Sequence, residues 1–166
     1  IYALADEALT RASMTRQEID AIAVTYAPGL IGAVLVGVNF AKAAAYSLGV
    51  PLVPVHHIRG HIAAAYLADE ALEPPFVTLL ASGGHTAVIR VKDYLGHEVL
   101  GSTLDDAAGE AFDKAARVLG LAYPGGPNVE RLAREGKPCI EFPKMFRGGG
   151  YDFSYSGLKT AVINYC

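Results

Sequence analysis

The 166-residue chain has no tryptophan, two cysteines and only 19% charged residues, and each shortage narrows what the protein does. Cys139 and Cys166 stand far apart without metal-type spacing, which argues against a disulfide scaffold and sets the expectation of a reducing, cytoplasmic compartment. A net charge of -3 leaves no global basic field, so any contact with nucleic acid has to come from a local patch or a partner. The longest apolar stretch, Leu30 to Ala41, is too short to cross a bilayer and ends at Lys42, and no charged segment with a cleavage site opens the chain. No membrane association is therefore expected. What is abundant is apolar: 52% of residues, a balance that favours a packed globular interior over a disordered or collagen-like chain.

The punctuation of the chain predicts an α/β protein. The first residues, Tyr2 to Leu9, read as the middle of a helix, so the chain is expected to start inside a longer protein. Thr15-Arg16-Gln17-Glu18 has the form of a capping box. A β-rich run from Asp20 to Tyr26 precedes the breaker Ala27-Pro28-Gly29. A long helix from about Gly32 to Leu48, closed by Gly49, comes next. Pro51 to Val55 predicts a second strand, and the Ala- and Leu-rich span from His56 to Asp69 a second long helix. The alternation then gives way to three strands, Phe76 to Ala81, Thr86 to Val91 and His97 to Ser102, expected as an antiparallel meander. Helices are predicted over Asp106 to Leu119, from Pro127 to about Glu135, and over Ser156 to Tyr165, with flexibility at Arg147-Gly148-Gly149-Gly150. The last helix stops without a cap, and the C-terminus, too, reads as a cut.

Four groups of residues carry possible chemistry. His57 and His61 lie four apart on a predicted helix, so their imidazoles share one face and can bind one metal ion. Two surface histidines are the plain alternative, and Ile58-Arg59-Gly60 places no glutamate base between them as HExxH would. Leu80-Ala81-Ser82-Gly83-Gly84-His85-Thr86 can cradle a phosphate through successive backbone N–H groups helped by the Ser and Thr hydroxyls, or can be a simple hairpin turn. It is neither GxGxxG nor followed by GK[ST]. Asp106, Glu110 and Asp113 are predicted to share one helix face, with Ala107, Ala111 and Val118 toward the core. Such acids hold ribose hydroxyls or a cation, or are merely solvated; Asp113, last on that face, points to the glycine turn after it. Pro124-Gly125-Gly126-Pro127, with Glu130 one turn on, allows close approach of a base or sugar, or simply connects two helices.

In order along the whole chain, these segments resemble the TsaD family of tRNA N6-adenosine threonylcarbamoyltransferases, once called O-sialoglycoprotein endopeptidases. Lys42-Ala43, Leu48, Pro51, His57, Gly60 and His61 stand at the spacing of that family's long signature. Downstream come Ser82 to Thr86, Asp105 to Lys114, Tyr123 to Pro127 and Phe153 to Ala161 in the same sequence of blocks. The resemblance implies an actin-like, sugar-kinase-like (ASKHA) fold, with residues 1–75 belonging to the first lobe and 76–166 opening the second. It implies that His57 and His61 bind one divalent metal ion, iron or zinc, whose third ligand lies outside this chain. Leu80, Ala81, Ser82, Gly83 and Gly84 would line the phosphate side, and Asp113, Gly126 and Glu130 the nucleoside end. No catalytic residue beyond the metal ligands is assigned. The implied reaction moves a threonylcarbamoyl group from threonylcarbamoyl-AMP to tRNA, in partnership with a non-catalytic paralogue and a small ATPase. By this reading the 166 residues alone are inactive. The rivals are a metalloprotease, an ATPase on the same fold, and a non-catalytic paralogue, in which the histidines should have decayed.

Overall fold

Two stretches of β-branched and aromatic residues, Ile22–Ala27 (β1) and Leu52–His56 (β2), pair in parallel, and the long helix Ile31–Leu48 (α2) joins them. The computed structural model describes residues 1–144, 146 and 150–166; the flexibility expected at Arg147 to Gly149 lies outside them. A parallel pair requires a crossover, and α2 supplies it while packing along β1. The helix stops where expected, since Gly49 takes φ 68° and returns its N–H to the last carbonyls. Before this unit come Tyr2–Ala12 (α1) and a 3-10 turn at Arg16–Glu18, where the predicted capping box forms: Glu18 Oε2 accepts from Thr15 N–H at 2.7 Å. After it, His57–Ala68 (α3) starts directly from the end of β2.

The chain divides into two compact units, Ile1–Leu72 and Glu73–Cys166. In the second, Phe76–Ala81 (β3), Thr86–Val91 (β4) and His97–Ser102 (β5) form the expected antiparallel meander in the order β3-β4-β5. β4 shows why it is central: Thr86, Ile89 and Val91 are all buried. A register shift between β4 and β5 follows Val88, and beyond it Gly101 lies against the backbone of Tyr151. A Cβ at Gly101 would stand 2.3 Å from the Tyr151 carbonyl carbon, so only glycine lets the 151–153 segment run alongside. Phe153, 5% exposed, anchors that segment next to Thr103.

Three helices complete the unit: Ala108–Val118 (α4), Gly125–Glu135 (α5) and Ser156–Tyr165 (α6), with α4 packed on both others. Two boundaries differ from expectation. α4 begins at Ala108 and not at Asp106, because the acceptors for its first N–H groups, Thr86 Oγ1 for Ala108 and the Ser82 carbonyl for Gly109, come from the β3–β4 turn and meet the chain there. α5 begins at Gly125, two residues before Pro127, because an acceptor from α4 reaches its first N–H. Val118, expected in the core, is 42% exposed, and Ala116, 1% exposed, takes its place.

Candidate functional site

The first group of site residues belongs to the first unit. Because α3 begins at His57, His57 and His61 sit on its first turn and rise from one face. Their Nε2 atoms converge to 3.1 Å, with ring centroids 4.4 Å apart and planes at 76°. Two nitrogens bound about 2.0–2.1 Å from a tetrahedral zinc stand about 3.3 Å apart, so this spacing fits two ligands of one ion. Imidazole nitrogen suits zinc or iron. Among the described residues no group of three or more His, Cys, Asp or Glu side chains gathers, so the pair by itself offers at most two ligands. Gly60, between the histidines, faces Val55 of β2, a Cβ there standing 4.0 Å from a Val55 methyl. His56, the residue before α3, packs edge-on to Tyr26, and its buried Nδ1 has no hydrogen-bond partner.

The second group belongs to the second unit, where Leu80 and Ala81 end β3 and Ser82, Gly83 and Gly84 make the turn into β4. Ser82 closes the turn on itself. Its N–H donates to the His85 carbonyl at 2.8 Å, and its hydroxyl accepts from the His85 N–H at 3.1 Å. The Thr86 hydroxyl, 3% exposed, accepts from the Ala108 N–H at 2.8 Å. Both hydroxyls that the sequence offered to a phosphate are thus held within the protein. Gly83 and Gly84 are exposed, and a Cβ on either would meet nothing within 4 Å. Open space and backbone N–H groups at this turn are what a phosphate cradle requires.

The helices of this unit share a construction that the sequence alone did not disclose. Their N-cap residues are Ala107, Pro124 and Tyr155, none of which caps with its own side chain. Acceptors come instead from other segments. For α4 they are Thr86 Oγ1 and the Ser82 carbonyl, the latter 3.1 Å from Gly109 N. For α5 it is Asp113 Oδ1, 2.7 Å from Gly125 N. For α6 it is Asp105 Oδ1, 2.8 Å from Tyr155 N and 3.2 Å from Ser156 N. A negative group at a helix start is electrostatically favoured, so two carboxylates hold places that an external anion would otherwise take.

Asp113 therefore points to the glycine turn, as expected, with one oxygen engaged there. Gly125 has to be glycine, since a Cβ would stand 2.6 Å from the Asp113 Cα and 2.7 Å from Ala116 Cβ. Gly126 is the permissive one, 4.0 Å from Phe112 Cβ. Glu130 is exposed and pairs with Arg134 at 2.6 Å, and Asn128 fixes the turn by donating to the carbonyls of Ala122 and Pro124. Glu110 pairs with Lys114, so Asp106, Glu110 and Asp113 each have a protein partner.

Asp105 and Asp106 were the residues whose roles sequence reasoning missed. Burial works against the Asp105 carboxylate, but hydrogen bonds from Ser154, Ser156 and the Tyr155 N–H outweigh it and hold its pKa well below the usual carboxylate range. Asp106, only 12% exposed at its side chain, lies between Lys114 at 2.5 Å and Lys159 at 2.7 Å, which lower its pKa in that order. No local signal marked these roles, because the partners Ser154, Tyr155 and Lys159 lie far along the chain.

With the geometry in place, comparison with known proteins decides the family. The profile of TsaD, described as tRNA N6-adenosine threonylcarbamoyltransferase, matches residues 1–166. The chain belongs to the TsaD family. Curated TsaD relatives under that same description include one from Clostridium perfringens (strain SM101 / Type A), 57% identical over 99% of this chain. Another, from Moorella thermoacetica (strain ATCC 39073 / JCM 9320), is 56% identical over 99%. The chain spans about half the length of the curated relatives it matches, 49% in both cases. Among solved structures, YeaZ from Pseudomonas aeruginosa aligns with 59% of this TsaD-family chain and 50% of its own, at 16% identity and a TM-score of 0.43.

Proposed function

We propose that this chain serves the transfer of a threonylcarbamoyl group from threonylcarbamoyl-AMP to N6 of the adenosine beside the anticodon in tRNAs that read codons starting with A. The observation that carries the reading is the convergence of His57 and His61 Nε2 to 3.1 Å in a chain matched over residues 1–166 by the TsaD family. The relatives' name, tRNA N6-adenosine threonylcarbamoyltransferase, gives tRNA as their substrate. In the reaction the N6 amine attacks the carbamoyl carbonyl carbon, the bond from that carbon to the phosphate oxygen breaks, AMP departs, and the amine loses a proton.

His57 and His61 would hold one divalent ion, zinc or iron, as two of its ligands. When bound, such an ion supplies Lewis acidity toward a carbonyl oxygen. Gly83 and Gly84 offer backbone N–H groups to the adenylate phosphate, where negative charge accumulates as AMP leaves. The second Asp113 oxygen accepts a ribose hydroxyl, Gly126 admits the nucleoside, and Glu130 reaches it by leaving Arg134. The proposal includes the actin-like, sugar-kinase-like fold, a cytoplasmic setting, and a non-catalytic paralogue and small ATPase as partners. A hydrolytic alternative needs a carboxylate base between the histidines, where the chain has Ile58-Arg59-Gly60.

The test is a transfer assay on the full-length protein with its partners, threonylcarbamoyl-AMP and tRNA. Wild type should yield N6-threonylcarbamoyladenosine and His57→Ala should not. Undiminished product from His57→Ala removes the basis of the reading.

A further inference from the structure

The turn at Gly83 and Gly84 owes its position to a helix start, and that helix start owes its position to two carboxylates. The Gly109 N–H bonds the Ser82 carbonyl at 3.1 Å, the Ala108 N–H bonds Thr86 Oγ1 at 2.8 Å, and the Thr103 N–H bonds the Thr86 carbonyl at 3.1 Å. Contact is close enough that a Cβ on Gly109 would stand 2.7 Å from Gly83 Cα. Any displacement of the first turn of α4 therefore passes to Gly83.

Immediately before that turn, Asp105 and Asp106 reach α6, 50 residues further along. Asp105 accepts from the Ser154 hydroxyl and from Tyr155 N and Ser156 N, closing the start of α6. Asp106 joins Lys114 of α4 to Lys159 of α6, while its own carbonyl accepts from the Thr103 hydroxyl at 2.6 Å. The Phe153 carbonyl adds a bond to Leu104 N at 2.9 Å. The two acids thus clasp α6 to α4, and α4 bears on the glycine turn.

We infer that Asp105 and Asp106 are positioning residues for nucleotide binding, holding the Ser82 to Gly84 turn through α4 in the form that receives a phosphate. The inference rests on the transferase reading above and gives roles to two segments, Asp105-Asp106 and Ser154 to Lys159, that the proposed ligand contacts leave unused. Neither acid is among the proposed ligand contacts, and both are taken up by protein partners. Replacing a carboxylate by an amide keeps the shape and removes the charge that Lys114, Lys159 and the start of α6 are bound to, so the turn loosens without being dismantled.

The experiment uses the full-length protein with its partners and measures kcat and KM for threonylcarbamoyl-AMP alongside melting temperature. Asp105→Asn, Asp106→Asn and Lys159→Met are each expected to raise KM about tenfold, with kcat at saturation changed about twofold or less, since misplacement of a binding group by a fraction of an ångström has effects of this order. Lys159→Arg, which keeps the ion pair, should restore a near wild-type KM. Ile89→Val, which loosens the core of the same unit away from the clasp, should lower the melting temperature and leave KM alone. Variants that melt earlier with unchanged KM, the pattern expected of Ile89→Val, or that lose kcat with unchanged KM, overturn the inference. A wild type without transfer activity defeats the transferase reading and this inference with it. An active wild type with unmoved variants defeats this inference alone.

Discussion

The two units treat their polar side chains in opposite ways. On α3 of the first unit, His57 and His61 turn their Nε2 atoms toward one another at 3.1 Å, on a helix face where His61 is exposed. In the second unit Ser82 turns to the backbone of its own turn, and Thr86, Asp105 and Asp113 each turn to backbone groups of another segment. The difference teaches that a residue type suited to a ligand is not by itself a ligand residue. An imidazole pair has little structural purpose on an exposed helix face, whereas a buried N–H with no acceptor costs about 1–3 kcal/mol, and a nearby carboxylate or hydroxyl removes that cost.

The sharpest way to break this comparison is His61→Ala. Affinity of the full-length protein for zinc should fall on the order of 100-fold or more, given that even outer partners of a metal site cost 10–100-fold, while thermal melting stays close to wild type because the side chain is exposed. A variant that melts early with its zinc affinity intact would put the histidines in the structural class instead. Asp113→Ala tests the opposite unit: losing the acceptor for Gly125 N should cost about 1 kcal/mol of stability, the usual value of a helix cap. Urea denaturation reads it, and no loss would mean that Asp113 is freer to serve a ligand than its geometry suggests.

Acid sharpens the same point more gently. Asp105 and Asp106 have pKa values below the ordinary carboxylate range, Asp105 because its hydrogen bonds outweigh burial and Asp106 chiefly through Lys114 and then Lys159. Folded, they bind protons less readily than unfolded. Their stabilisation is therefore complete above the unfolded value of about 3.9 and is lost as pH falls through the lower folded values. The melting-temperature gap between wild type and Asp106→Asn should stay constant above about pH 5 and narrow below about pH 4. A gap independent of pH would mean that the ion pairs contribute nothing. The smallest effect belongs to Glu130→Ala, whose exposed pair with Arg134 is worth about 0.5 kcal/mol or less. Unchanged stability with weakened AMP binding supports a nucleoside role for Glu130, and unchanged AMP binding removes it.

Local pattern made much of the fold legible. Strand-type runs separated by glycine-containing turns located β3, β4 and β5 residue for residue, and Ser156 marked the start of α6. The capping box at Thr15 formed as its spacing required. The starts of α4 and α5 were misjudged by two residues each because their acceptors, Thr86 and Asp113, lie 22 and 12 residues away from the N–H groups they serve. No local period encodes such a pairing. The same holds for the clasp: Asp105 and Asp106 read as ordinary helix acids until Ser154 and Lys159 stand beside them. The imidazole pair was legible because both partners lie within one helical turn.

One ion shared by His57 and His61 is central to the proposed chemistry. X-ray absorption at the zinc edge of the full-length, zinc-loaded protein should show imidazole scattering that accounts for two nitrogen ligands in wild type and one in His61→Ala. Identical spectra from the two proteins would contradict it.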